Sequence, residues 1–159
     1  MAIASDERTV YAGLLRGALE AIAQTVDEMS EGDLDIHLIE TASSAAQLAN
    51  HVVGAVRGYA LGVGCGLDVE RDRAAEFAAQ GVPASELSAA LRALADDIDA
   101  GMSSVDPAVF NEITVPEQSV FGAAPTREVS RREALVSSIR HAGEHLGHLQ
   151  LTRDILDSR

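Results

Sequence analysis

The sequence predicts an all-α protein organised as a four-helix bundle. Three observations carry the prediction. Four stretches of the 159-residue chain repeat apolar residues at helical spacing, and none alternates with a period of two over a strand's length. The four prolines all fall in connections or at a helix start. Apolar residues make up 47% of the chain but aromatics only 3%, with no Trp, so the core must be aliphatic. At 16.7 kDa this is one ordinary domain, expected to span residues 1–159, with enough length to bury a real core.

The first helix is expected from about Ser5 to Met29, with Val10, Leu14, Ala18, Ile22 and Val26 as its apolar stripe. Glu31-Gly32-Asp33 ends it, and a polar connection leads to about Ala42. The second begins near Ser43 and runs to about Val63, with Leu48, Val52, Val56, Tyr59 and Val63 on one side, and Gly62, Gly64 and Gly66 stop it. The charged turn from Asp68 to Arg73 leads into a short helix ending at Gly81. Pro83 suits the first turn of the third long helix, whose stripe is Leu87, Leu91, Leu94 and Ile98. From Gly101 to Thr126 no periodic run is visible, and Pro107, Pro116 and Pro125 break up the segment. Irregular connections of that length often lie over a site.

The last helix has the clearest start. Ser130-Arg-Arg-Glu133 reads as a capping box, in which hydroxyl and carboxylate satisfy the free amides of the first turn. The helix then runs through Leu135, Ile139, Ala142, Leu146, Leu149 and Leu156.

Charge excludes one class of partner. The chain has 12 basic and 25 acidic residues, a net charge of −13, and nucleic acid needs a cationic face to neutralise phosphate. No run of about 18 apolar residues exists to span a membrane. Met1 to Asp6 lacks the charged and apolar regions of a secretion signal, so a cytoplasmic protein is expected. The single Cys65 can form no internal disulfide and no Cys pair for a zinc knuckle, and its glycine-rich corner suggests a structural role.

Three of the five histidines fall within seven or eight residues of each other: His141, His145 and His148. At about 100° per residue they lie near 0°, 40° and −20° around the helix, at the flank of an apolar face centred near 100–120°. Neutral imidazoles at i and i+4 reach a common point from successive turns, which suits a divalent metal. A third ligand must come from elsewhere, and His51 is the natural candidate. It flanks the apolar stripe of the second helix, and the small Ala55, Gly58 and Gly62 beside it leave open space. Three protein ligands with a vacant position form a catalytic type of metal site. His37 reads instead as a hydrogen-bonded side chain.

Two other metal chemistries fit less well. His141-Ala-Gly-Glu144-His145 matches the His-x-x-Glu-His signature of inverted zinc proteases, but those enzymes take a further ligand well downstream and few residues follow. A ferritin-like di-iron site needs Glu-x-x-His on two helices, and no such pair is present.

A histidine late in the second helix, followed by His141-Ala-Gly-Glu-His145-Leu-Gly-His148-Leu-Gln-Leu-Thr-Arg153-Asp, resembles the DinB/YfiT-like superfamily. The segment Arg71-Asp-Arg-Ala-Ala-Glu-Phe77 is similar to what relatives carry after that helix. The resemblance covers nearly the whole chain. It implies a DinB-like bundle with a long crossover, often a homodimer, holding one divalent metal, zinc or nickel, on His51, His141 and His145. Some relatives use a carboxylate in place of one histidine, which keeps Glu144 with His148 as an alternative i, i+4 pair. Characterised relatives are transferases or isomerases that use mycothiol or bacillithiol, so the resemblance implies a thiol S-transferase taking a small-molecule thiol such as mycothiol, together with an electrophile. The competing expectation is a metal-binding or ligand-binding bundle without turnover, since membership of a fold family does not fix function. Arg71-Asp-Arg73 is expected as a solvated, salt-bridged corner. Arg57 and Arg153 are candidates for a substrate carboxylate, set against ordinary surface pairing. The 102–126 loop is expected to cover the metal pocket.

Overall fold

The computed structural model describes residues 6–122 and 124–159. Among them the chain forms helices α1 (Glu7–Glu28), α2 (Ala45–Val56), α3 (Arg73–Phe77), α4 (Ala84–Ser104), α5 (Gln118–Phe121) and α6 (Arg131–Asp157), with two-residue strands β1 (Ile113–Thr114) and β2 (Val129–Ser130). A π-helical segment, Arg57–Gly64, continues α2, and a short 3-10 helix spans Pro107–Asn111. The all-α bundle is as expected. Ser5, where the first helix was expected to begin, and the rest of residues 1–5 lie outside the described residues.

Ion pairs fix the directions of the long helices. Arg16 meets Asp96 and Asp99, and Arg92 meets Glu20 and Asp27, so α1 and α4 run antiparallel. Arg132 meets Glu7 and Arg153 meets Glu28, so α1 and α6 run parallel. His51 faces His141, while Leu135, six residues earlier on α6, packs at Gly64, thirteen residues later in the α2 direction. The α2 arm is therefore antiparallel to α6 and parallel to α4, and residues 65–83 form the long crossover between α2 and α4.

Side chains cap the starts of the four long helices. Asp6 accepts from the Arg8 amide at 3.0 Å. Ser44 and Gln47 form a reciprocal capping box on α2. The Glu31 carboxylate accepts from the Ala84 amide at 3.2 Å, taking over at α4 the role that Pro83 cannot fill. At α6, Ser130 Oγ accepts from the Glu133 amide at 3.0 Å, but the Glu133 carboxylate pairs with Arg127 instead of reaching back, so half of the expected capping box is present.

The core is aliphatic: Leu15, Leu19, Ile22, Leu91, Leu94, Ile98, Leu135 and Leu149 are all fully buried. The α4 stripe is buried as expected. The α1 stripe is offset in its first half, while Ile22 and Val26 are buried as expected. Val10 and Leu14 are exposed, and the buried face runs through Tyr11, Leu15, Leu19, Ile22 and Val26. Both faces of α1 carry aliphatic residues, and packing against α4 and α6 selects the one with more of them.

Two further differences concern the connections. The second helix is not uniformly α: after Val56 it widens into the π-helical turns and ends at Cys65, just before Gly66 at φ +72°. The 102–126 segment is not irregular either. It holds the 3-10 helix, β1 paired antiparallel to β2 through Ile113–Ser130 and Thr114–Val129, and α5. Phe110 from this segment is fully buried at the bundle end, edge-on to Tyr11 with ring centroids 5.8 Å apart.

Candidate metal centre

The side chains of His51, on α2, and of His141 and His145, one turn apart on α6, converge. One ligand atom from each lies within 4.8 Å of those of the others. The ring centroids are 5.0 Å apart for His51–His141, 5.1 Å for His51–His145 and 4.4 Å for His141–His145. His51 is buried and the other two are half-buried. The antiparallel packing of α2 on α6 brings together residues 90 apart in sequence, while the α-helical rise stacks the two α6 ligands.

The donor set suits a metal. His51 Nε2 stands 3.1 Å from His141 Nε2. Two imidazole nitrogens on a tetrahedral ion, with bonds near 2.0–2.1 Å, sit about 3.3 Å apart, so little movement separates this pair from ligand spacing. His145 Nδ1 is buried without a hydrogen-bond partner among the described residues. Burial, reinforced by the neighbouring rings, pushes His141 and His145 down to about 4, so both are neutral near pH 7 and present lone pairs.

The sequence reading missed the groups behind His51. His51 Nδ1 lies 2.9 Å from Glu76 Oε2, and Arg71 holds the other side of that carboxylate, with Nε 2.7 Å from Oε1. Burial works against the Glu76 charge, but the hydrogen bonds from His51 and Arg71 outweigh it and hold its carboxyl below the usual range. An ionised carboxylate can only accept, so His51 Nδ1 carries a proton, and in the neutral imidazole Nε2, which faces His141, is the nitrogen left with the lone pair. A carboxylate behind a histidine in this way fixes the tautomer and orientation of a metal ligand. Arg71 also donates to the Val120 carbonyl at 2.8 Å, tying the loop before α6 to the same network. Phe77 packs against His51 with ring centroids 4.8 Å apart.

Arg71 is therefore not the solvated corner expected from the sequence. Its side chain is 4% exposed and paired with the equally buried Glu76. The charged run concealed this because nothing in a local pattern reveals that α3 folds back onto α2. The signal available was the resemblance of the Arg71–Phe77 segment to relatives.

Glu144 and His148, the alternative pair, both point outward. Glu144 is exposed and pairs with Arg140 at 2.5 Å, and His148 is exposed with its ring 6.3 Å from that of His145. Arg57 and Arg153 make surface pairs, with Asp97 and with Glu28 and Asp154. His37 bonds the Ala42 carbonyl at 2.6 Å. Cys65 is half-buried, and burial pushes its thiol up to about 11, which favours the protonated form near neutral pH.

A cleft of about 370 Å³ opens beside His51 and His141. It is bounded by α2, its π-helical continuation, Arg71, Arg73, α6 and residues 120–122 and 124–129, so the described C-terminal part of the 102–126 segment lies over the site. No helix of the described residues is long and apolar enough to cross a membrane.

Comparison with known families matches the mycothiol-S-transferase family over residues 10–158. No individual curated protein matches. With almost its whole length aligned, the chain belongs to the mycothiol-S-transferase family, within the DinB/YfiT-like superfamily.

Proposed function

We propose that this member of the family is a metal-dependent mycothiol S-transferase, a single domain over residues 1–159 that works as a cytoplasmic homodimer and holds one divalent ion on His51, His141 and His145. The observation that carries the reading is the convergence of three neutral-capable histidines beside a cleft, in a family named for thiol transfer. A divalent ion such as zinc or nickel, when bound there, favours the thiolate of a low-molecular-weight thiol near neutral pH, and the thiolate is the nucleophile.

The chain's own residues supply the rest. His141 and His145 offer lone pairs because burial keeps them neutral. Glu76 accepts a hydrogen bond from His51 Nδ1–H and aims Nε2 inward, and Arg71 keeps Glu76 charged and in place. The cleft against His51 and His141 receives the electrophile next to that point. Cys65 does not line the cleft, and burial raises its thiol, so in this reading the small thiol supplies the reacting sulfur.

The homodimer is supported by the outward faces of α1 and α6, which leave Val10, Leu14, Val136 and Leu151 exposed. Nothing lies within 4 Å of a side-chain position at Gly13, Gly17, Gly143 or Gly147, so another helix can approach these faces closely.

The test is elemental analysis of untagged protein together with a mycothiol-transfer assay. The expected result is about one zinc or nickel per chain, lost in His51→Ala and His145→Ala, with mycothiol consumed only by the loaded wild type. Full metal content in the His145 variant overturns the ligand set. Metal without any transfer leaves the chain a metal-binding protein.

A further inference from the structure

The cleft beside the histidines has an unusual charge for this chain. Its walls include Arg71, Arg73, Arg127 and Arg140, four of only 12 basic residues, and none of the 25 acidic residues lines it. The four guanidinium groups come from separate places in the sequence: the turn before α3, the start of α3, the loop before β2, and α6. In a protein of net charge −13 these walls present basic side chains and no acidic ones.

The arginines differ in how far they are committed. Arg71 is buried and bound to Glu76. Arg127 and Arg140 pair with Glu133 and Glu144 at the outer surface, where all four side chains are well exposed and such pairs are weak. Arg73 has only the Phe77 ring as a partner among the described residues, at 4.8 Å from the ring centroid. In the same walls Tyr59 and Phe121 stand edge to face with centroids 6.0 Å apart, and Tyr59 is half-buried. The cleft thus joins a flat apolar surface to guanidinium groups able to form charge-assisted hydrogen bonds.

We propose that the electrophile accepted by this site is an organic anion, a carboxylate on a flat, apolar or aromatic body, gripped by Arg73, Arg127 and Arg140 beside His51 and His141. The inference rests on the transferase reading for the identity of the reaction and adds the substrate class. With an activated aryl chloride the balance is simple. The thiolate sulfur forms a bond to the ring carbon bearing chlorine, the carbon–chlorine bond breaks, chloride leaves with the electron pair, and the thiol proton passes to buffer.

The experiment compares chlorodinitrobenzoate with chlorodinitrobenzamide, which differ in charge but little in shape, as partners for mycothiol. Each enzymatic rate is divided by the uncatalysed rate. In parallel, calorimetry measures the binding of unreactive dinitrobenzoate and dinitrobenzamide to the same protein. The acid is expected to be favoured over the amide by about tenfold or more in both measurements, and that ratio to fall about tenfold in Arg73→Gln and again in Arg140→Gln. Equal acceleration of acid and amide overturns the anion proposal and leaves the transferase reading standing. If neither is turned over while dinitrobenzoate still binds better, by an Arg73-dependent margin, the anion site stands and the transferase reading falls. Binding without preference for the acid overturns the proposal whatever the rates.

Discussion

The Glu76 carboxylate occupies the place that a side chain at Gly54 would need: a Cβ built there would overlap Glu76 Oε1. Gly54 lies on α2 three residues after His51, on the side where α3 packs. A helix-interior glycine costs about 0.5–1 kcal/mol relative to alanine. Here that cost gives room for the buried acceptor that orients His51.

Gly54→Ala should therefore expel the carboxylate from His51 without touching any of the three histidines. Metal affinity is expected to fall by about 10–100-fold, and Glu76→Gln should fall by a similar factor. Competition titration with a chromogenic chelator measures this. Combining the two changes should add little beyond either one, because both act on the same contact.

Acid sensitivity has a separate source. Glu7 is held down to about 2 by hydrogen bonds from Arg132 first and Tyr11 second, with Tyr11 Oη 2.5 Å from its carboxylate. The folded value lies below the unfolded one near 4.5, so the contribution is complete above about pH 4.5 and is lost as pH falls towards 2. Urea midpoints measured between pH 5 and 2.5 should drop less steeply for Glu7→Gln than for wild type. The difference is expected to be small, since both partners are partly exposed.

Leu149 is fully buried on α6, one turn beyond His145, and anchors that helix in the core. Leu149→Ala should lower stability by about 2–5 kcal/mol through the cavity it leaves, measured by denaturant unfolding. Leu14→Ala, on the exposed face of α1, should cost the isolated chain little.

Leu14→Asp places a charge in the middle of that outward face. Sedimentation equilibrium at micromolar concentration should find wild type dimeric and this variant largely monomeric. A wild-type monomer would remove the dimer from the proposed function.

What the sequence disclosed follows how local each feature is. His141 and His145 were legible because a spacing of four on a helix fixes their geometry by itself. His51 was legible as the flank histidine on the only other helix able to offer one. Glu76 and Arg71 were not, because their meaning depends on a five-residue helix folding back onto α2, which no short-range pattern encodes. The first half of the α1 face was misplaced by one residue because Val10 and Leu14 repeat at the same interval as Leu15 and Leu19, while Ile22 and Val26 are buried as expected. The π-helical turns after Val56 were invisible because an apolar stripe through Tyr59 and Val63 continues across them. β1 and α5 are too short to show any period.

The 90 residues between His51 and His141 also set an order of events during synthesis. When His51 leaves the ribosome, the helix that must face it has not been translated. The Arg71–Glu76 support can close on His51 early, from a neighbouring stretch of nascent chain, but the cluster of three gains its other two members only as the final helix emerges. Any ion held by all three arrives only after α6 has been made, and a chain cut before residue 141 keeps one of the three ligands and should hold the ion poorly.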